Sequence, residues 1–124
     1  MSKNSKLLKA VLIWQGLYYG LTGLWAIVSL ETFSLITRHP IEDAFDMHSI
    51  AALAVVLGIA FVWGAYDERY RFFAAVLALL SAIAIIVPEL FYFSEIKNTL
   101  FVPDLAEETI VAVLLAVGLS RYQK

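Results

Sequence analysis

The chain has 124 residues, 61% hydrophobic and 16% charged, with a formal net charge of −2 and a mean hydropathy of +0.80. A soluble domain carries only about 45–50% apolar residues, so the composition points to a membrane solvent, and the acidic balance argues against a nucleic-acid partner. The absence of cysteine excludes disulfides, thiol chemistry and thiolate metal sites.

The apolar residues gather in four runs, about 7–30, 47–66, 72–93 and 105–120. Three reach the ~20 residues a helix needs to cross the hydrocarbon core, and the fourth sits at the short end of that range. They are apolar almost all the way round, unlike helices of a soluble bundle, and they lack the alternation of barrel strands. The fold class expected is an all-α membrane protein: one four-transmembrane-helix bundle spanning 1–124, in which each span pairs its own backbone amides. The first run is too long and too rich in Trp14, Tyr18, Tyr19 and Trp25 for a signal core, so it reads as a retained span.

Basic residues set the orientation. Lys3, Lys6 and Lys9 precede the first span, Arg69 and Arg71 follow the second, and Arg121 and Lys124 follow the fourth, so seven of the nine lie on one side. Arg38 and Lys97 lie on the other, among Glu31, Glu42, Asp43, Asp46, Glu95 and Asp104. The positive-inside rule then puts both termini in the cytoplasm of a multi-pass plasma-membrane protein.

In the first span Gln15, Tyr18, Tyr19 and Thr22 share one helix face, with Gly16, Gly20 and Gly23 beside them. The opposite face of Leu17, Leu21, Leu24 and Val28 is aliphatic and suited to lipid. Gly16 and Gly20 are spaced for close approach of another helix. The outer loop, 31–46, holds His39, Glu42, Asp43 and Asp46, and with His48 just beyond it these are residue types that can ligate a divalent metal. No metal-ligand spacing occurs there, and the loop reads as solvated, with Asp46 capping the second helix and Pro40 fixing an extended or turn geometry for His39.

The second span repeats small residues at helical spacing, Ala54 with Gly58 and Ala60 with Gly64, which suits packing. Trp63 and Tyr66 fit an aromatic belt above the charged turn 67–71. In the third span Ala74, Ala78, Ser81, Ala82 and Ile85 form one face that Glu89 continues toward the bundle, at the outer edge of the core, with Pro88 bending the helix there. An ionisable group in such a run is a functional-site candidate by default. The fourth span has Asp104 as its expected N-cap. Its small-residue face is Thr109, Ala112, Ala116 and Ser120, with Glu108 turned inward and Glu107 toward headgroups.

Several of these landmarks, Tyr18-Tyr19, Thr22-Gly23-Leu24-Trp25, Phe33 with Thr37, Glu89 with Tyr92, and Asp104 with Glu108, resemble those of small bacterial four-span proteins that are DoxX-like in layout. That group often has Thr-Gly-Pro-Lys where this chain has Thr37-Arg38-His39-Pro40, and aspartate at Glu89. The resemblance implies a four-helix bundle of the bacterial inner membrane, and an association with membrane redox and oxidative-stress assemblies.

Three functions compete. In the first, Glu89, Tyr92, Asp104 and Glu108, with Gln15, Tyr18, Tyr19 and Thr22 below them, bind a lipophilic or cationic small molecule near the outer leaflet. In the second the chain is an accessory subunit whose aliphatic faces dock on a membrane-protein partner. In the third the carboxylates relay protons for a transporter, although inverted repeats and broken helices are missing. No nucleophile–base pair, metal signature or phosphate loop appears, so the reading leans against an enzyme and assigns no catalytic residue, metal or cofactor.

Overall fold

The computed structural model describes residues 2–37, 41–92 and 101–122. They form five helices, α1 (Lys3–Val28), α2 (Leu30–Thr37), α3 (Ala44–Tyr66), α4 (Glu68–Phe91) and α5 (Phe101–Ser120), with no strand among the described residues. By length and composition α1, α3 and α4 can cross a membrane. The remaining long helix, α5, is shorter at 20 residues and carries Asp104, Glu107 and Glu108 near its start.

α1 is the hub, packing against each of the other four helices. Its antiparallel contact with α3 rests on glycine. A Cβ on Gly58 would lie 2.6 Å from the Gly16 carbonyl oxygen and 2.8 Å from the Gly20 nitrogen, and one on Gly23 would lie 2.6 Å from the Ala51 carbonyl oxygen. Gly16 is equally tight against α3, whereas the Cβ direction of Gly20 is open. The first-span glycines that need to lack a side chain are therefore Gly16 and Gly23, and Gly20 contributes backbone only. Leu17, Leu21, Leu24 and Val28 are exposed on the opposite side of α1.

At the end of the bundle where α1 begins, Leu8, Leu12, Phe61, Ala65, Ala75, Ala78 and Leu115 make the buried core. Asp67 is the single residue between α3 and α4, capping both, and pairs with Arg69 at 3.0 Å. That hydrogen-bonded pairing holds the Asp67 carboxyl below its ordinary range. Arg71, expected in the charged turn 67–71, lies inside α4. It is buried, donates to Ser5 Oγ at 2.9 Å and to the Ala65 carbonyl at 2.7 Å, and leads the buried face continued by Ala74, Ala75, Ala78 and Ala82.

Other expectations are corrected. The 31–46 segment is not all loop: Ser29 interrupts the helix at φ −146°, ψ 79°, and α2 (Leu30–Thr37) follows, with Phe33 meeting Trp25 edge-on at 5.1 Å. The cap of α3 is Asp43, which accepts from the Asp46 amide at 3.2 Å, and not Asp46 itself. α5 begins three residues before Asp104, which therefore sits in the first turn rather than at the cap. The buried face of α5 is Glu108, Val111, Leu115 and Gly118, while Thr109, Ala116 and Ser120 are exposed. Contact with α1 selects that face, because Gly118 lets Leu8 approach to 2.6 Å of where a Cβ would lie. Arg38, His39, Pro40, Phe93, Glu95, Lys97 and Lys124 lie outside the described residues.

Candidate functional site

On α5, Asp104, Glu107 and Glu108 stand at i, i+3 and i+4, the spacing that puts side chains on neighbouring positions of one helix surface. Facing them, α1 presents Trp14, Gln15, Tyr18 and Tyr19, each with a polar hydrogen on a largely apolar side chain. The two sets interlock. Trp14 Nε1 donates to Glu107 Oε2 at 2.8 Å, Gln15 Nε2 donates to Glu108 Oε2 at 3.0 Å, and Tyr19 Oη donates to the same oxygen at 3.4 Å. Tyr18 Oη donates to Asp104 Oδ1. Gln15 and Glu108 have 0% exposure and Tyr19 5%.

Every carboxyl group of the cluster is thus held by one oxygen. The oxygens Glu107 Oε1, Glu108 Oε1 and Gln15 Oε1 are buried with no hydrogen-bond partner. One ligand atom from each of Asp104, Glu107 and Glu108 can be chosen so that all lie within 4.8 Å of one another. Glu89 comes to this cluster from α4, facing Asp104 and Glu108, and its Oε2 is also buried and unpartnered. Among the described residues no lysine or arginine forms an ion pair with any of these acids. The cluster is rich in acceptors and has used its donors.

Beside it, Leu7, Val11 and Trp14 of α1 and Ala106, Glu107 and Ile110 of α5 line an apolar groove of about 620 Å³, with the Trp14–Glu107 bond at one end. Chemically, the arrangement can bind positive charge through carboxylates and a chain through the groove. It offers no nucleophile with an adjacent base.

Asp104, Glu108, Gln15, Tyr18, Tyr19 and Glu89 come together here. Tyr92 and Thr22 do not. The Tyr92 side chain is 55% exposed at the end of α4, and Thr22 lines a separate cavity of about 270 Å³ with Phe33, Met47 and Ala51. Tyr18 and Tyr19, expected below the carboxylates, bond to them directly. α1 runs about 15 Å past Tyr18, so the cluster lies well short of the C-terminal end of that helix. Sequence reasoning missed Trp14 and sent Glu107 to the headgroups. Both flank residues already singled out, and the pairing of two adjacent polar positions on α1 with two adjacent acids on α5 was the available signal.

The chain matches no known family, no curated protein and no solved structure.

Proposed function

We propose that this protein is a non-enzymatic module of four membrane spans that binds a cationic or lipophilic small molecule at the Asp104–Glu107–Glu108 cluster. One observation carries the reading. Buried carboxyl groups have one oxygen fixed by a neutral donor from α1 and the other oxygen unpartnered. Carboxyl groups this close, out of water and with no base beside them, need positive charge brought to them, as a cation or as protons. The fixed oxygens keep the free ones in place, so little ordering remains to be done when a ligand arrives. The apolar groove that ends at Glu107 suits a hydrocarbon portion of the same ligand or of a neighbouring lipid.

The fourth span is α5, whose acids face α1 and α4 and leave aliphatic residues such as Ile110, Val113 and Val117 for lipid. Both termini and the turn at Asp67 lie in the cytoplasm, because the basic residues concentrate there. The DoxX-like layout supports a bacterial inner membrane. The experiment is native mass spectrometry of the protein extracted in its own lipid, comparing wild type with Glu108→Gln. A small molecule or cation retained by the wild type and lost from the variant supports the module. A stoichiometric protein partner with no such ligand replaces it with the accessory-subunit reading.

A further inference from the structure

The cation that fits this cluster can be narrowed by counting oxygens and charges. Two oxygens bound to one hard cation at about 2.1–2.5 Å can be no more than about 5 Å apart, and the ligand atoms of Asp104, Glu107 and Glu108 meet that condition. A fourth oxygen is on offer from another helix: Gln15 has 0% exposure, its amide nitrogen is tied to Glu108, and its buried Oε1 has no partner. The carboxyl groups are also prepared as metal ligands commonly are, each with one oxygen hydrogen-bonded by a side chain of α1: Glu107 by Trp14, Asp104 by Tyr18, and Glu108 by Gln15 and Tyr19. An ammonium group would offset one of the negative charges, whereas a divalent ion offsets two at a single point. The donor set is oxygen throughout, with no cysteine in the chain and no histidine in the cluster, which selects magnesium, calcium or manganese over zinc and copper.

We infer that Asp104, Glu107, Glu108 and the Gln15 amide oxygen form a binding site for a hard divalent metal ion between α1 and α5. This rests on the reading that the cluster takes a cation, and specifies which kind. Trp14, Tyr18 and Tyr19 are positioning residues that orient the ligands without touching the ion.

The test is a titration of manganese into the full chain in zwitterionic-lipid nanodiscs, after removal of metal with a chelator, reading free manganese by its electron paramagnetic resonance signal. One saturable ion per chain is expected, displaced by magnesium or calcium. Glu108→Gln should weaken it at least about tenfold, and Trp14→Phe, which keeps every ligand but removes the donor to Glu107, about tenfold. Trp14 is 57% exposed, so this second variant remains informative where Glu108→Gln does not assemble. Absence of saturable manganese binding, or binding unchanged in both variants, overturns the metal site. If dodecylammonium binds in a Glu108-dependent way while manganese does not, the metal inference falls and the cation-binding module stands. If neither binds, both fall.

Discussion

Gly58→Ala and Gly20→Ala form a matched pair of substitutions on the two sides of one helix contact. The new methyl at position 58 would sit 2.6 Å from the Gly16 carbonyl oxygen and 2.8 Å from the Gly20 nitrogen, against an ordinary contact of at least 3.4 Å. The neighbours are backbone, so no side chain can swing away, and α1 and α3 must separate by 3.4 − 2.6 = 0.8 Å there. Overpacking of this kind costs about 1–3 kcal/mol, and the separation also loosens the tight crossings at Gly16 and Gly23. At position 20 the same methyl meets nothing within 4 Å, and replacing a helical glycine by alanine favours the helix by up to about 1 kcal/mol. Gly58 is helical too, so that gain is common to both variants, and they should differ by the overpacking cost of about 1–3 kcal/mol, with Gly58→Ala the less stable. The assay is reversible unfolding by sodium dodecyl sulfate in mixed micelles, followed by tryptophan fluorescence. If Gly58→Ala is as stable as Gly20→Ala, the assigned α1–α3 contact is wrong.

Further expectations concern the core where α1 begins, the turn, the sidedness and the limits of the site. Arg71→Lys should destabilise the fold by about 1.5–3 kcal/mol in the same unfolding assay, because one ammonium cannot reach both the Ser5 hydroxyl and the Ala65 carbonyl as the guanidinium does. At the turn, the hydrogen bonds and charge of Arg69 hold the Asp67 carboxyl below its ordinary value, so the stability from that pair is present above that ordinary value and is lost as the pH falls through the folded-state value. Comparing wild type with Asp67→Asn between about pH 6 and 3 should show the wild type losing a small advantage on acidification. Single cysteines at Ser2, Glu42, Glu68, Asn98 and Gln123 should react with an impermeant maleimide from outside intact cells only at 42 and 98, and reaction at 68 would reverse the orientation. Thr22→Val should leave cation binding within about twofold, while Tyr18→Phe, which removes the donor to Asp104, should weaken it about tenfold. Binding isotherms that move together would place Thr22 in the site.

Hydropathy was enough to find the long helices, since each apolar run falls mainly on one of them, although the first runs on across the break at Ser29, and helix periodicity found the buried alanine face of α4 and the exposed leucines of α1. It failed where two helices decide a face jointly. On α5 the small residues Thr109, Ala116 and Ser120 have the pattern of a packing stripe, yet the helix turns Glu108 inward because α1 supplies Gln15 and Tyr19 as donors and Leu8 fills the space opened by Gly118. A single-helix projection contains none of that information. The relative height of helices was also beyond it: Asn4 Nδ2 donates to the Arg121 carbonyl, and this register at the end where α1 begins is what brings Tyr18 level with Asp104. Arg71 shows the same limit, because a basic residue one turn into a helix looks like a membrane-side anchor until Ser5 and Ala65 are seen around it.

The most direct test of the acidic cluster as a receptor for positive charge is an infrared difference spectrum of the protein in lipid, recorded before and after addition of a cation, either manganese or dodecylammonium. Binding at Asp104, Glu107 and Glu108 should produce difference bands in the carboxylate stretching region that saturate with the added cation and disappear in Glu108→Gln. A flat difference spectrum, or bands that persist unchanged in that variant, would contradict the account.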